Sequence, residues 1–375
     1  MKYSVLFLIP TLENGGAEKV MVNLVNNMDL GKYEITVMTI FDYGINKKKL
    51  SPNIRYKSFL KKPFKGYSRL IGLLPNRYLY DIIVHDHYDV CISYLEGSAA
   101  KIISGCSDAN TKKIAWIHTV MDSEKRLKIG FRSKEEAMNT YCKFERIVFV
   151  SNSAREAFLK ISGMEPDCCR VVYNTNETKK IRQMALEPIQ DITIKHDCFN
   201  ICCVGKITPN KGFDRLAHIL KKIKNESLPI HVYAIGNGEQ QKEIEQYLKE
   251  NQLEGSYSFI GFRENPYKYV AACDLYVCAS HKEGLSTAVT EALVVGTPVV
   301  STNCSGAYEL LGNNNEYGIV TENSEEGLYN GIMQLLSDKS LMQHYKRQSA
   351  IRGTMFSTAN TVEMVENLID EALNE

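Results

Sequence analysis

Four stretches of the sequence join residue types that can hold phosphates and hydroxyls. Val204-Gly205-Lys206-Ile207-Thr208-Pro209-Asn210-Lys211-Gly212 places two lysines in a loop that opens a helix. Two ammonium groups beside the free N–H groups of a helix start suit a diphosphate. The loop is not a P-loop, because no Gly-Lys-Ser/Thr closes it. His281 through Glu291 carries two carboxylates, Glu283 and Glu291. Between them Gly284 permits a tight turn, and Leu285, Ser286 and Thr287 can offer N–H groups at a helix start. Carboxylates accept hydrogen bonds from sugar or ribose hydroxyls, so this one turn can hold hydroxyl, phosphate and hydroxyl in sequence. Gly15-Gly16-Ala17-Glu18 lets the backbone approach a ligand closely at another helix start. His118, in Trp116-Ile117-His118-Thr119, follows a strand. Each stretch alone also fits a blander account: surface lysines, solvated carboxylates, a strand-to-helix turn, a structural histidine. The dinucleotide pattern GxGxxG is absent at Gly15-Gly16 and at Gly236-Asn237-Gly238, which disfavours a nicotinamide enzyme.

These residues need strands to carry them. Short apolar runs at Val5–Ile9, Glu34–Ile40, Val90–Tyr94, Lys113–Ile117 and Ile147–Val150 alternate with helical patterns such as Ala17–Met28 and Ser98–Gly105. A second series follows, with strands at Asn200–Val204, Ile230–Ile235, Tyr257–Ile260, Leu275–Cys278 and Pro298–Ser301. Helices fit between them. Apolar strands alternating with helices argue for α/β architecture with parallel sheets covered on both faces. Two such doubly wound sheets facing each other would form a central cleft at the carboxyl ends of the strands, where ligands bind. The expected division is 1–178 for a first Rossmann-like domain, a polar linker at 179–197, 198–356 for a second such domain, and a helix at 357–375 that packs back on the first.

The chain has 375 residues and a formal charge of +1, so two domains are natural and bulk attraction to nucleic acid is not implied. No run of 18 or more apolar residues marks a membrane span. The first apolar run is too short for a signal peptide. Eleven cysteines, an odd count without CxxC pairing, read as reduced core residues of a cytoplasmic protein. The histidines are not at ligand spacing from them, so zinc is not expected.

Taken together, these pieces resemble the retaining glycosyltransferases of family 4, which have the GT-B fold. The resemblance rests on Gly15-Gly16-Ala17-Glu18, Trp116-Ile117-His118, Val150-Ser151-Asn152-Ser153, Val172-Tyr173-Asn174, Val204-Gly205-Lys206 with Lys211-Gly212-Phe213, Glu283 through Glu291 with Ala292-Leu293, and Gly296-Thr297-Pro298-Val299-Val300. They run in the family order over nearly the whole chain. The resemblance implies a nucleotide-sugar donor, on family frequency a UDP-sugar. It implies that Lys206 and Lys211 hold the donor diphosphate, Glu283 the sugar and Glu291 the ribose. Leu285, Ser286 and Thr287 would give backbone contacts, Gly15 and Gly16 a loop near the diphosphate and acceptor, and His118 a group beside the sugar. The loop at Gly261-Phe262-Arg263 would cradle the base. His118, Lys206, Lys211 and Glu283 are thus the expected catalytic set. Lys206 stands where the family usually has arginine; it keeps the charge without the bidentate fork. Lysine charge would replace a metal, and no DxD motif is present, so neither metal nor cofactor is expected. A GT-B sugar-nucleotide epimerase and a non-catalytic sugar-nucleotide-binding protein stay open as alternatives.

The acceptor side has its own signal. Tyr43 to Tyr80 contains ten Lys and Arg residues, no acidic residue, and interleaved aromatic and apolar side chains. Residues 47–80 therefore suit an anionic membrane surface, and Lys125, Arg126, Lys128, Arg132 and Lys134 form a second basic run. A solvated basic loop is the plain alternative. No nucleic-acid fold accompanies the patch. The expected setting is the inner face of a cell membrane, with a lipid-linked or oligosaccharide acceptor in surface polysaccharide synthesis.

Overall fold

The computed structural model of the chain describes residues 2–374, apart from Asn14, residues 225–228, Gly284, Ser305 and the side chains of Ser68 and Arg69. It divides into two compact units, Met1–Asn176 with Thr358–Glu375, and Glu177–Ser357. The first unit runs β1 (Tyr3–Ile9), α1 (Gly16–Asn27), β2 (Tyr33–Phe41), β3 (Arg55–Leu60), α2 (Tyr67–Leu73), α3 (Asn76–Ile83), β4 (Val90–Ser93) and α4 (Ser98–Ile103). It continues through β5 (Lys112–Ile117), α5 (Glu124–Leu127), α6 (Lys134–Tyr141), β6 (Arg146–Phe149), α7 (Asn152–Ser162) and β7 (Cys169–Val171). The second unit holds α8 (Thr178–Ala185), β8 (Phe199–Val204), α9 (Phe213–Lys224), β9 (Ile230–Ile235), α10 (Gln241–Glu250), β10 (Tyr257–Gly261) and α11 (Tyr267–Ala272). Then come β11 (Leu275–Cys278), α12 (Thr287–Val295), β12 (Val299–Thr302), α13 (Ala307–Leu311), β13 (Ile319–Thr321), α14 (Glu325–Ser337) and α15 (Lys339–Thr354). The last helix, α16 (Thr358–Asn374), belongs to the first unit.

Both sheets are parallel and doubly wound. Their orders are β3-β2-β1-β4-β5-β6-β7 and β10-β9-β8-β11-β12-β13. The apolar run of β1 shows why. Leu6 and Leu8 enter one core cluster while Val5, Phe7 and Ile9 enter another, so successive side chains fill both faces. Val365, Leu368 and Ile369 of α16 complete the second of these clusters. Asp370 pairs with Lys32 and accepts a hydrogen bond from the Tyr33 hydroxyl at 2.9 Å.

Three strands are absent from the sequence reading. β3 is an edge strand with mostly exposed side chains, so it lacks the apolar run. β7 and β13 are three residues long, below what periodicity resolves. The stretch expected as a linker is corrected at its start. Residues 178–185 form α8, whose buried Ile181 packs with Tyr267 and Val294. Its polarity belongs to one exposed face. No helix among the described residues is long and apolar enough to cross a membrane.

Candidate functional site

In each sheet the strand order reverses once, and such a switch point opens a crevice beyond the carboxyl ends of the two strands. In the second unit those strands are β8 and β11, which pair directly. The loop after β8 carries Lys206 and Lys211; the loop after β11 carries Ser280 and Glu283. Two glycines set the backbone. A Cβ on Gly236 would lie 1.9 Å from the Gly205 carbonyl oxygen, so the ends of β8 and β9 can close together only with glycine there. Gly212 has φ +66° and caps the turn Pro209–Lys211; a Cβ on it would lie 2.2 Å from the Ala279 oxygen. Gly212 thereby lets the lysine loop lie against the loop after β11.

That contact brings Lys211 to Glu283. Lys211 Nζ donates to Glu283 Oε1 at 2.6 Å, and Ser280 Oγ donates to the same oxygen at 2.7 Å. The Glu283 side chain is 12% exposed and that of Lys211 32%, so the pair is only partly screened by water. A cavity of about 20 Å³ beside them is lined by Lys211, Phe213, Cys278, Ser280, Glu283 and Ser286 among others, room for about one water molecule.

Arg215, which the sequence reading passed over, fastens the frame. It is buried on α9, and its Nη1 donates to the Ala279 oxygen at 3.1 Å and to Asn323 Oδ1 at 2.8 Å. Its Nη2 lies 2.9 Å from His281 Nδ1. Asn323 Nδ2 donates to the His281 carbonyl at 3.0 Å, and Asn210 Nδ2 to that of Lys282 at 2.9 Å. The sequence signal was faint: Arg215 lies among the apolar positions of α9, amid Phe213, Leu216 and Ala217.

Ser286 caps α12, its hydroxyl accepting from Val289 N at 3.4 Å and its carbonyl from Thr290 Oγ1 at 3.1 Å. Thr287 begins the helix on the exposed side, and Leu285 is half-buried. Gly284 lies outside the described residues. One turn into the helix, Glu291 Oε1 accepts from the Tyr267 hydroxyl at 3.0 Å. Burial, then Glu291, push the Tyr267 hydroxyl above its ordinary range. Lys206 is exposed and has no ion pair among the described residues. The loop at Gly261 divides its labour. Phe262 is 68% exposed, while Arg263 Nε is 3.0 Å from Asp191 Oδ2 and 3.2 Å from the Tyr269 hydroxyl. Asp191 lies in the stretch expected as a linker.

The remaining residues belong to the first unit and are described within it. His118 follows β5. Its backbone N–H donates to Glu96 Oε2 at 3.0 Å, and Thr119 Oγ1 donates to Glu96 Oε1 at 2.7 Å. The ring lies 4.9 Å from that of Tyr94, and its enclosed Nε2 has no hydrogen-bond partner among the described residues. Burial pushes the imidazole down to about 3, so it is neutral at physiological pH. Gly15 caps α1; Gly16 is exposed, with nothing within 4 Å of an added Cβ. Glu18 is held above the usual carboxylate range, first by burial.

The basic segment needs a correction. Ile71 and Tyr80 are buried, and Tyr67 and Leu74 pack on the core, so these four of the interleaved apolar side chains hold the segment of α2 and α3 in place. Every residue from Ser58 to Gly66 is exposed, including Phe59, Leu60, Phe64, Lys61, Lys62 and Lys65. In the second run Arg126, Lys128 and Arg132 pair with Asp122, Glu124 and Glu136 one helical turn away, which neutralises much of it.

The sequence matches a family described as glycosyl transferases group 1 over residues 187–352 and one described as glycosyltransferase family 4 over residues 14–179. It is 27% identical over 363 residues to the Campylobacter jejuni N-acetylgalactosamine-N,N'-diacetylbacillosaminyl-diphospho-undecaprenol 4-alpha-N-acetylgalactosaminyltransferase, spanning 93% of this chain and 94% of that one. It is 23% identical over 372 residues to an Escherichia coli UDP-Gal:alpha-D-GlcNAc-diphosphoundecaprenol alpha-1,3-galactosyltransferase, spanning 94% and 95%. The fold resembles that of Anabaena HepE, solved with UDP, with a TM-score of 0.76 at 19% identity over 99% of this chain and 100% of that one.

Proposed function

We propose that this chain, which belongs to the GT-B glycosyltransferases of the family 4 type, moves a hexose or N-acetylhexosamine from a UDP-sugar to a lipid-linked saccharide with retention of configuration. The observation that carries the reading is the Lys211–Glu283 pair between the loops that end β8 and β11. Each group satisfies the other before donor arrives, which limits the cost of burying either charge. Donor would exchange that bond for two others, Lys211 to the diphosphate and Glu283 to a sugar hydroxyl. Glu291, already oriented by Tyr267, would take the ribose. The bond from the anomeric carbon to the diphosphate breaks, the acceptor oxygen bonds to that carbon, and its proton passes to the departing diphosphate. Lys206, Lys211 and the helix start at Ser286 stabilise the charge that develops there. Lysine charge would serve in place of a metal ion. The roles of Gly15, Gly16 and His118 toward donor and acceptor remain a proposal, each testable by its own substitution.

Two observations support a lipid-linked acceptor. The names of the Campylobacter and Escherichia relatives specify diphospho-undecaprenol substrates. The exposed run from Ser58 to Gly66 combines cations with aromatic side chains, a composition that binds anionic headgroups at about 1 kcal/mol per basic residue. This supports peripheral residence at the inner face of a membrane.

The test is nucleotide release from a panel of UDP- and GDP-sugars, with and without membrane extract. Lys211→Ala and Glu283→Ala should each abolish release while circular dichroism stays unchanged. Retained activity in both overturns the site. Flotation with anionic liposomes at low salt tests the membrane face. Failure to float, with activity indifferent to neutralising Lys61, Lys62 and Lys65, overturns that part.

A further inference from the structure

In the first unit one carboxylate stands where a strand ladder would otherwise continue, and the proposed reaction does not use it. β4 and β5 pair in parallel from Val90↔Lys112 to Ser93↔Ala115. At the head of that ladder Lys112 N donates to the Asp89 oxygen at 2.9 Å. Carried on in the same register, the ladder would set His118 opposite Glu96 and send its N–H to the Leu95 oxygen. The N–H goes instead to Glu96 Oε2 at 3.0 Å, and Thr119 Oγ1 donates to Oε1 of the same carboxylate at 2.7 Å. A side chain in place of a backbone carbonyl parts the two chains at the carboxyl end of the sheet, and neither donor is left unsatisfied.

Glu96 is itself fixed from behind. Gly97, with φ +76°, turns the chain into α4, and a Cβ on it would lie 2.9 Å from the Ile129 oxygen. A Cβ on Gly130 would lie 2.8 Å from the Gly97 Cα, so the two loops are in close contact. Two residues before Glu96, the buried Tyr94 sets its ring 4.9 Å from those of Trp116 and His118. Glu96 thus holds the backbone of His118 while Tyr94 packs against its ring. The enclosed Nε2 keeps one bond for a ligand.

We propose that Glu96 is a positioning residue of the transfer, which places the His118 imidazole by holding the backbone that carries it. Its bearing on activity rests on the role given to His118 above; its hold on the ring does not. A glutamate carboxylate offers an acceptor oxygen to each of the two donors, and its charge strengthens both bonds. Glutamine has one acceptor oxygen and sets its NH2 against the second donor. Aspartate keeps the charge but is one methylene short. Either change releases the loop that begins at His118. A displacement of about 1 Å at a group acting on substrate costs about a hundredfold in rate.

The experiment compares Glu96→Gln, Glu96→Asp, His118→Asn and the double variant of Glu96→Gln with His118→Asn, each with a melting curve to show that it folds. In substrate-free protein labelled with 15N-histidine, the ring resonance missing from His118→Asn identifies His118. That resonance should move in both Glu96 variants while those of the other histidines stay. Nucleotide release with membrane extract should fall in kcat by about tenfold to a hundredfold in both. The KM for donor should change little, because the groups proposed to hold the diphosphate lie in the second unit. In the His118→Asn background, Glu96→Gln should cost little more. Losses that multiply would show Glu96 acting independently of His118 and would overturn the proposal. So would a His118 resonance that does not move, or a fully active Glu96→Asp, which would leave only the charge to matter. Full activity of His118→Asn would instead remove His118 from the proposed reaction, and the transfer role of Glu96 with it; the resonance would still decide whether Glu96 places the ring.

Discussion

Replacing Gly212 by alanine should damage both the stability of the second unit and its chemistry, and the structure allows the loss to be divided. An L-residue at φ +66° costs about 1–2 kcal/mol for its left-handed backbone alone. The new Cβ would also stand 2.2 Å from the Ala279 oxygen, about 1 Å short of ordinary contact. Arg215 Cδ, 3.1 Å from the same point, closes the other side. Moving the carbonyl by that amount would take it out of hydrogen-bond range of Arg215, now 3.1 Å away. Loss of a buried bond to a charged group adds about 1.5–3 kcal/mol. The total is about 2.5–5 kcal/mol. Gly296→Ala is the matched control. Its φ of +90° is at least as demanding, but its nearest neighbour is the Ala350 methyl at 3.5 Å, so it should lose only the backbone term of about 1–2 kcal/mol. Both are read from urea midpoints, with nucleotide release measured in parallel. The displaced Ala279 carbonyl lies in the turn that carries Ser280 and Glu283, so Gly212→Ala should lose most of its activity even where it is folded. Equal destabilisation by the two variants, or full activity in Gly212→Ala, would refute the close approach of the two loops.

Other expectations follow from named groups. His118 ordinarily titrates near 6.5 and is pushed down to about 3, so between those values the unfolded chain takes up a proton that the folded chain does not. Stability should fall as pH drops through that window, and His118→Asn should make the fall shallower in urea titrations at about pH 7 and about pH 4.5; parallel slopes would count against it. Ile369, fully buried on α16, should cost about 2–5 kcal/mol when cut to alanine, read as a shift in the denaturation midpoint. Arg215→Lys keeps the charge but cannot reach Ala279, Asn323 and His281 together, so nucleotide release should drop about tenfold to a hundredfold; unchanged kinetics would show that the guanidinium frame is dispensable. Exhaustive chelation should leave the rate unaltered, whereas a requirement for added magnesium or manganese would move charge neutralisation away from Lys206 and Lys211.

What the sequence disclosed and what it hid follow from range. Apolar runs such as Val5–Ile9 and Ile230–Ile235 fill both faces of a sheet, so composition alone marks them as strands. β3 escaped because an edge strand with exposed side chains has no such run. Lys211 and Glu283 were visible as residues after strands, but their 2.6 Å contact joins positions 72 apart. It depends on which strands pair, which no local spacing states. Arg215 was hidden for a related reason. A lone arginine on an amphipathic helix reads as solvent-facing, and only the Ala279 and Asn323 partners show otherwise. Tyr267 looked like any aromatic residue of a helix until its hydroxyl met Glu291. The basic segment was legible as charge, whereas its split between Ile71 inside and Phe64 outside required the fold.

The return of α16 to the first unit bears on how the protein is made. The core cluster that holds Val365, Leu368 and Ile369 also holds Val20, Val25 and Tyr33, yet the whole of Glu177–Ser357 is translated between the two sets. At about 5–20 residues per second that interval lasts roughly 10–40 s. Throughout it the earlier residues of the nascent chain lack their covering helix and present an apolar face to the ribosome's surroundings. The second unit, contiguous in sequence, can finish folding first. A ribosome that stalls near Ser357 therefore leaves a completed second unit attached to a first one that still lacks the helix of Thr358–Glu375.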